Sequence, residues 1–328
     1  MRANLFAGSW ARWDRANEHR QEMSKVWNEY LDGHPFYESL DHRGGGEFVL
    51  VVHQSEPIPT RFAVLCGEWL YNLRSCLDYT IWATAAFDSG QLPPPGDEHL
   101  QYPIYEREDQ WKRNLYRIKA LEARHRRMLH HMQPFASDLD ANFLARLNEL
   151  ARLDRHRQLN VATAYVAILE PVLRIIIKPT PRVTVQWGQR VLKDGRAEVA
   201  RFLVEPWSDR HDPAQVSVNP RVGIDPEIEQ WSSSPFWRRT RFSDRLAYFQ
   251  TFVAAEVAAY EYDCTGASRK ASMLSDSYRA ECDARDRTEP MPMMSNPVEW
   301  SGAIAPTPST IDRFEGRDFP MDSRLDER

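Results

Sequence analysis

Residues 62–87 read FAVLCGEWLYNLRSCLDYTIWATAAF, and this stretch decides the fold. At about 100° of rotation per residue, apolar residues recur along one side of a helix over this stretch. They are Cys66, Leu70, Leu73, Leu77 and Ile81. Glu68 and Asn72 fall on the opposite side. The pattern predicts a long helix that is mostly buried.

Arg74 and Asp78 lie one turn apart at the margin of this apolar side. A charged pair in that position is partly removed from water, so both groups need partners. Two interpretations stay open: the pair belongs to a functional site, or it is a structural ion pair.

Composition restricts the classes of protein. The chain has 328 residues, of which 42% are hydrophobic and 11% aromatic, so it can build a packed core of one large domain or two smaller ones. Its net charge of −5 excludes a protein that coats nucleic acid through bulk charge, and any nucleic-acid contact must be local. No apolar run approaches the length of a membrane span, and charged residues interrupt the N-terminus. We therefore expect a soluble, cytoplasmic protein without membrane contact.

The chain carries none of the common signatures of cofactor or metal chemistry. It has no glycine-rich phosphate loop, no dinucleotide fingerprint and no His-Glu-x-x-His. Cys66 and Cys76 would lie about 15 Å apart on one helix, too far for a disulfide. No pair of cysteines has zinc-ligand spacing. We expect reduced thiols, no metal and no cofactor.

A second predicted helix, Arg107 to Met132, carries a strip of basic residues beside its apolar face. The strip consists of Arg113, Arg117, Arg124, Arg127 and His131. Guanidinium groups at helical spacing can follow the phosphates of a nucleic acid, and the alternative is an ordinary solvated face. His125 falls on the apolar side, where the pattern favours a core histidine with its hydrogen bonds satisfied.

A third predicted helix, Asp138 to Asn160, ends in an unusual turn. Asp154, His156 and Arg157 bring together a carboxylate, an imidazole and a guanidinium. Cations are favoured at a helix C-terminus, so part of the cluster needs no function. Such a group can also shift the titration of the imidazole across neutral pH.

From residue 161 the pattern changes to short runs rich in β-branched residues, and an Asp194-Gly195 pair predicts a hairpin turn. We predict an α+β fold: a helical bundle of about five helices with a β-meander inserted before the last helix. The predicted parts are a helical domain (1–160), a β-rich insert (161–225), a final helix that returns to the bundle (226–262) and an extended or disordered tail (263–328).

Four segments together resemble a group of uncharacterised bacterial and phage proteins. The segments are GEWLYNLRSCLDYTIW, YPI at 102–104, QPF at 133–135 and LNELARLDRHRQL, which fall within residues 65–159. In that group a Leu-Arg-Ser-x-Leu-Asp-His helix precedes an Asp-Lys-His-Arg helix end. The Arg-x4-His pattern also resembles that of HEPN domains, helical bundles that often dimerise and whose toxin members cut RNA without a metal.

The HEPN resemblance implies that Arg74 steadies a phosphate, and it implies a composite site across a homodimer. Tyr79 stands where the histidine belongs. A phenol with a pKa near 10 is ionised in only about one part in a thousand at pH 7, so Tyr79 is a poor general base.

Three hypotheses follow. In the first, preferred because the histidine is missing, the chain is a HEPN-like binding or regulatory protein that recognises RNA or a protein partner. In the second it is a metal-independent endoribonuclease, with Arg74 and Asp78 organising the site, His156 as the base, and the basic strip holding the phosphates. The third is a structural network of Arg74, Asp78, Asp154 and Arg157. All site hypotheses expect residues 74 and 156 to share a pocket.

Overall fold

The computed structural model describes residues 5–156, 162–228, 231, 236–237 and 240–284. Within them the chain is mixed α+β, with seven helices and six strands. The helices are α1 (Ala7–Asp32), α2 (Thr60–Ser89), α3 (Glu108–Asn114), α4 (Ala123–His131), α5 (Phe143–His156), α6 (Phe242–Thr265) and α7 (Asp276–Ala284). The strands are β1 (Phe36–Gly44), β2 (Glu47–Gln54), β3 (Ala162–Ile175), β4 (Arg182–Trp187), β5 (Arg196–Glu205) and β6 (Val216–Ile228).

Helix α2 lies at the centre of the helical part, as the sequence predicts. It contacts α1, α5 and α6, and its apolar side from Cys66 to Ile81 is buried in the larger of two hydrophobic clusters. The helix ends at Gly90, which adopts a left-handed conformation with φ of 65°. Helix α1 turns its aromatic residues, including Trp10 and Trp27, toward the same cluster. No helix in the described ranges combines the length and apolar character that spanning a bilayer requires.

The prediction of one continuous helix from Arg107 to Met132 is wrong. Helix α3 ends at Asn114, a 3-10 turn follows, and α4 begins only at Ala123. Where α4 begins, the Asp88 carboxylate from the last turn of α2 accepts a hydrogen bond of 2.7 Å from the backbone N–H of Glu122. A carboxylate at this position satisfies one of the orphan donors at the start of a helix. The residues of the predicted basic strip therefore do not share one helical face.

The β-meander is also wrong as a topology. One sheet has the strand order β1-β2-β5-β4, and a second consists of β3 and β6. The N-terminal hairpin thus joins the later strands, because its apolar residues, such as Phe48 and Leu50, complete a core with Phe202 and Val204. All described strand pairings are antiparallel. The predicted boundary at residue 160 consequently divides residues that belong to one sheet.

The predicted Asp194-Gly195 hairpin turn is confirmed. Both residues have positive φ, 51° and 74°, as a type I′ turn requires. Lys193 and Arg196 close the turn with two backbone hydrogen bonds of 2.9 and 3.1 Å.

The first part of the predicted tail is folded. Helix α6 continues to Thr265, and α7 packs on it through Tyr278, whose hydroxyl donates a 3.2 Å hydrogen bond to the carbonyl oxygen of Ala259. Tyr278 is fully buried. Residues 285–328 lie outside the described part of the chain, and so does the rest of the tail prediction. The four cysteines are free thiols, as predicted.

Candidate functional site

Arg74 and Asp78 hold the backbone of one residue in the loop that follows α2. The Arg74 guanidinium pairs with the Asp78 carboxylate at 2.6 Å and donates a second hydrogen bond, of 2.7 Å, to the carbonyl oxygen of Tyr102. The same Asp78 oxygen accepts a 2.8 Å hydrogen bond from the Tyr102 backbone N–H. The side chains of Arg74 and Asp78 are 10% and 31% exposed. The arrangement holds the backbone of residue 102 in place. This is what the structural interpretation of the ion pair predicts.

Tyr102 carries this network on to helix α6. Its hydroxyl donates a 2.6 Å hydrogen bond to the carboxylate of Glu256, and both side chains are buried. Burial raises the pKa of Glu256 to about 7, while the hydrogen bond from Tyr102 opposes the rise. Near neutral pH a carboxyl group with this pKa is divided between its two protonation states. Arg74, Tyr102 and Glu256 thus connect α2 with α6 through the loop between them.

Tyr79 lies on a different side of α2 from Arg74. Its ring is 45% exposed and rests on α1, where a Cβ atom added to Gly8 would lie 2.5 Å from a ring carbon. The guanidinium of Arg12 stands over the ring at 5.4 Å from its centroid. Arg74 instead points to the buried loop, as expected for residues separated by about 140° around a helix. Tyr79 and Arg74 are therefore not brought together in this chain.

Asp154 meets α2 at Gly67, seven residues before Arg74. A Cβ atom on Gly67 would lie 2.5 Å from both carboxylate oxygens of Asp154, so glycine allows α5 to approach. Seven residues correspond to about 10 Å along a helix. Asp154 thus contacts α2 well away from the Arg74–Asp78 pair. His156 is the last residue of α5, its side chain lies outside the described part of the structure, and Arg157 lies outside it altogether.

The residues of the predicted basic strip have two different environments. Arg113, Arg117, Arg127 and His131 are exposed, and we call these four the α3–α4 basic surface. Arg113 forms an exposed ion pair with Asp109 at 2.7 Å, and Arg117 donates a 3.2 Å hydrogen bond to the Tyr116 hydroxyl. Arg124 differs, because its side chain is only 10% exposed and pairs with the buried Asp263 at 3.1 Å.

A contact between aromatic rings joins the two helices that carry three of these residues, and Arg117 lies in the 3-10 turn that follows α3. Trp111 of α3 packs edge-on against His130 of α4, with ring centroids 5.5 Å apart. Arg127 and His131 are exposed on α4, next to this contact in the sequence. Although the continuous helix is absent, the exposed basic residues therefore belong to neighbouring elements.

His125 is buried between two carboxylates. Its Nδ1 lies 2.7 Å from Asp88 of α2, and its Nε2 lies 2.7 Å from Asp263 of α6. All three side chains are 0% exposed. Burial alone would lower the pKa of His125, but the hydrogen bonds to Asp263 and Asp88 outweigh it and hold the pKa well above its ordinary value. The sequence prediction of a satisfied core histidine is confirmed.

The partners of His125 have no recognisable sequence signal. Asp88 and Asp263 are separated by 175 positions, and each lies near the end of a long helix. Cys264 adds a thiol 3.8 Å from Nε2 of His125. Within the described ranges, no group of three or more His, Cys, Asp and Glu side chains is placed to hold a metal ion. The cluster ties α2, α4 and α6 together.

No protein-family model, curated protein or solved structure matches this chain.

Proposed function

We propose that this chain is a HEPN-like protein that binds RNA through the α3–α4 basic surface and does not cleave it. The observation that carries the proposal is a local reversal of charge. Residues 107–131 contain eight Lys and Arg against three Asp and Glu, whereas the whole chain has a net charge of −5. An exposed cluster of cations in an acidic protein attracts phosphates at one place only.

Arginine suits this role, since its planar guanidinium binds two phosphate oxygens at once. Arg113 and Arg117 are largely solvent-exposed, and they contact a surface carboxylate and a phenol, Asp109 and Tyr116. Exposed pairs of this kind contribute little to stability, so a phosphate can replace such a partner at little cost.

The contacts of Arg74 and Asp78 support a role without cleavage. Metal-independent cleavage of RNA needs a general base within hydrogen-bond reach of the ribose hydroxyl. Arg74 and Asp78 are both engaged with the Tyr102 backbone, and Tyr79 rests against α1. The HEPN-like part of the proposal rests on the sequence resemblance around Arg74. A helical core built around α2 is compatible with it.

The test is binding of a fluorescently labelled single-stranded RNA of about 20 nucleotides, followed by fluorescence anisotropy in a buffer that contains a chelator. We expect wild-type protein to bind the RNA, and the triple variant Arg113→Ala/Arg117→Ala/Arg127→Ala to lose most of this binding. The matched control is Arg15→Ala/Lys25→Ala/Arg61→Ala, which removes three exposed positive charges from α1 and the start of α2. It should bind as the wild type does.

The same samples, run on a denaturing gel after prolonged incubation, report cleavage. Intact RNA supports the proposal. If the wild type shortens the RNA and a folded His156→Ala variant leaves it intact, the endoribonuclease hypothesis is established instead. Absence of RNA binding in low salt would reject the proposal and leave a protein partner as the ligand to be sought.

A further inference from the structure

An irregularity in strand β5 places three charged residues, Arg196, Glu198 and Arg201, on the same face of the sheet. In a regular strand Arg196 and Glu198 would point to one face and Arg201 to the other, because side chains alternate. The pairing with β2 engages Glu198 and Ala200 but skips Val199, which is a β-bulge. The extra residue returns Arg201 to the face of Arg196 and Glu198. The burial pattern agrees, since Val199 and Ala200 are both buried and Arg196 and Arg201 are both exposed.

The bulge gathers arginines around one carboxylate. Arg43 lies 3.2 Å from Glu198, Arg196 lies 3.4 Å from it, and Arg201 lies 3.7 Å from it. Their side chains are between 45% and 52% exposed. Arg201 has a second carboxylate partner, Glu47 of β2, at 3.1 Å, and Arg43 pairs with Asp41 at 3.6 Å. Because these ion pairs are open to solvent, the carboxylates position the guanidiniums without burying them.

Arg196, Glu198 and Arg201 border a cleft on the outer face of the four-stranded sheet. Its volume is about 490 Å³, and its charged walls are Lys193, Arg196, Glu198 and Arg201. Trp187, Gln186 and Gln189, at and beyond the end of β4, also line it. The backbone of β4 runs so close to β5 here that a Cβ atom on Gly188 would collide with the carbonyl oxygen of Glu198.

The lining matches one class of ligand. A volume of this size is typical of small-molecule sites. Three cations against one carboxylate favour an anion, and paired guanidiniums favour a phosphate. Gln186 lies directly opposite Arg201 in the pairing of β4 with β5, and its amide can both donate and accept hydrogen bonds. We propose that the cleft binds the phosphate group of a phosphate monoester, with the phosphate between Arg196 and Arg201.

The effect of replacing Glu198 on phosphate binding tests the proposal. In the empty cleft its carboxylate holds the arginines, and in the loaded cleft it would repel the phosphate. Glu198→Gln should therefore tighten phosphate binding about threefold, since an exposed charge contributes up to about 1 kcal/mol. A merely structural cluster of ion pairs gives no gain of affinity when its carboxylate is removed.

Isothermal titration calorimetry of the full chain with adenosine monophosphate, inorganic phosphate and a 5′-phosphorylated RNA tetranucleotide tests the proposal. We expect Arg196→Ala and Arg201→Ala each to weaken binding about tenfold, the loss typical of one charge-assisted hydrogen bond. Arg221→Ala is the matched control, because Arg221 is exposed on the other sheet with one carboxylate partner, Glu170. It should leave binding unchanged.

The titrations are repeated in the background Arg113→Ala/Arg117→Ala/Arg127→Ala, so that failure of the cleft and failure of the RNA surface are distinguished. Binding of adenosine monophosphate would assign a free nucleotide to the cleft, and binding of the tetranucleotide alone would assign an RNA end. Equal affinity for inorganic phosphate and adenosine monophosphate would support recognition of the phosphate group alone. Absence of binding by both nucleotide probes at millimolar concentration, or binding that survives Arg196→Ala/Arg201→Ala, would overturn the proposal.

Discussion

Arg74 donates a hydrogen bond of 2.7 Å to the carbonyl oxygen of Tyr102, which lies 28 positions further along the chain. Asp78 accepts from the N–H of the same residue, so one ion pair satisfies both backbone groups of a loop residue. A buried backbone group that loses its partner costs free energy. The pair that the sequence presents as a catalytic candidate is thus a clamp on the loop after α2.

Replacing Arg74 by alanine should destabilise the protein strongly. The substitution leaves the Tyr102 carbonyl and the Asp78 carboxylate without their guanidinium, and we expect the free energy of unfolding to fall by about 3 kcal/mol. Urea denaturation measures the change. Arg61→Ala removes an exposed arginine that pairs with Glu22, and it should change stability by less than about 1 kcal/mol. Equal stability of Arg74→Ala and wild type would rule out the clamp.

Glu256 should make the folded protein less stable as the pH rises from about 4.5 to above 7. Its pKa is about 7 when buried and 4.5 when unfolded, so the folded state holds the proton more tightly. This contribution is therefore complete below pH 4.5 and lost as the pH passes the folded value, by roughly 3 kcal/mol. Glu256→Gln keeps an acceptor for the Tyr102 hydroxyl without a titratable group. Its unfolding free energy, measured across this range, should decline less than that of the wild type; parallel curves would contradict the assignment.

His125 should contribute stability that disappears at alkaline pH. Its folded pKa is raised by Asp263 and Asp88 despite burial, so its contribution is fully present below pH 6.5 and is lost as the pH rises through the folded value. His125→Gln leaves two buried carboxylates facing a neutral amide, with Cys264 and Arg124 close by. Thermal unfolding should show the largest deficit of the variant at pH 6 and a smaller one at alkaline pH. A deficit that does not vary with pH would mean that the imidazolium is not what holds the cluster together.

Gly67→Ala should separate α5 from α2. The new methyl group would lie 2.5 Å from the Asp154 carboxylate, and overpacking of this kind costs about 2 kcal/mol. Gly8→Ala is the matched control, because its methyl group meets the exposed Tyr79 ring at the same distance and that ring can turn away. Calorimetric melting temperatures should fall for Gly67→Ala and stay nearly unchanged for Gly8→Ala. A similar melting temperature for both would show that Asp154 does not fix the helix spacing.

Local patterns were sufficient where local contacts decide the structure. Helices α1 and α2 follow from their apolar periodicity, and the Asp194-Gly195 turn follows from the need for positive φ. The pairing of β2 with β5 cannot be predicted from local patterns. It joins strands about 150 residues apart, and neither strand has a sequence feature that identifies the other. The start of α4 is bonded to Asp88 from another helix, and this contact cannot be read from the sequence of residues 107–132.

For the candidate site, the sequence predicts that the charged residues require partners, but it does not predict which partners these are. The position of Arg74 and Asp78 at the margin of an apolar side indicates that both require partners, and both have them. The shared partner is the backbone of Tyr102. Because almost every residue type has the same backbone groups, the sequence does not identify this partner. The opposite holds for His125, whose place on the apolar side of its segment correctly predicts burial.

The central claim is that RNA is held by the α3–α4 basic surface, and its most direct test is the salt dependence of binding. Each phosphate contact to single-stranded nucleic acid contributes a slope of about −0.7 to a plot of log affinity against log salt concentration. Removing Arg113, Arg117 and Arg127 should therefore make the slope less negative by about 2, while Arg15→Ala/Lys25→Ala/Arg61→Ala keeps the wild-type slope. Identical slopes for wild type and the Arg113, Arg117 and Arg127 variant would contradict the account.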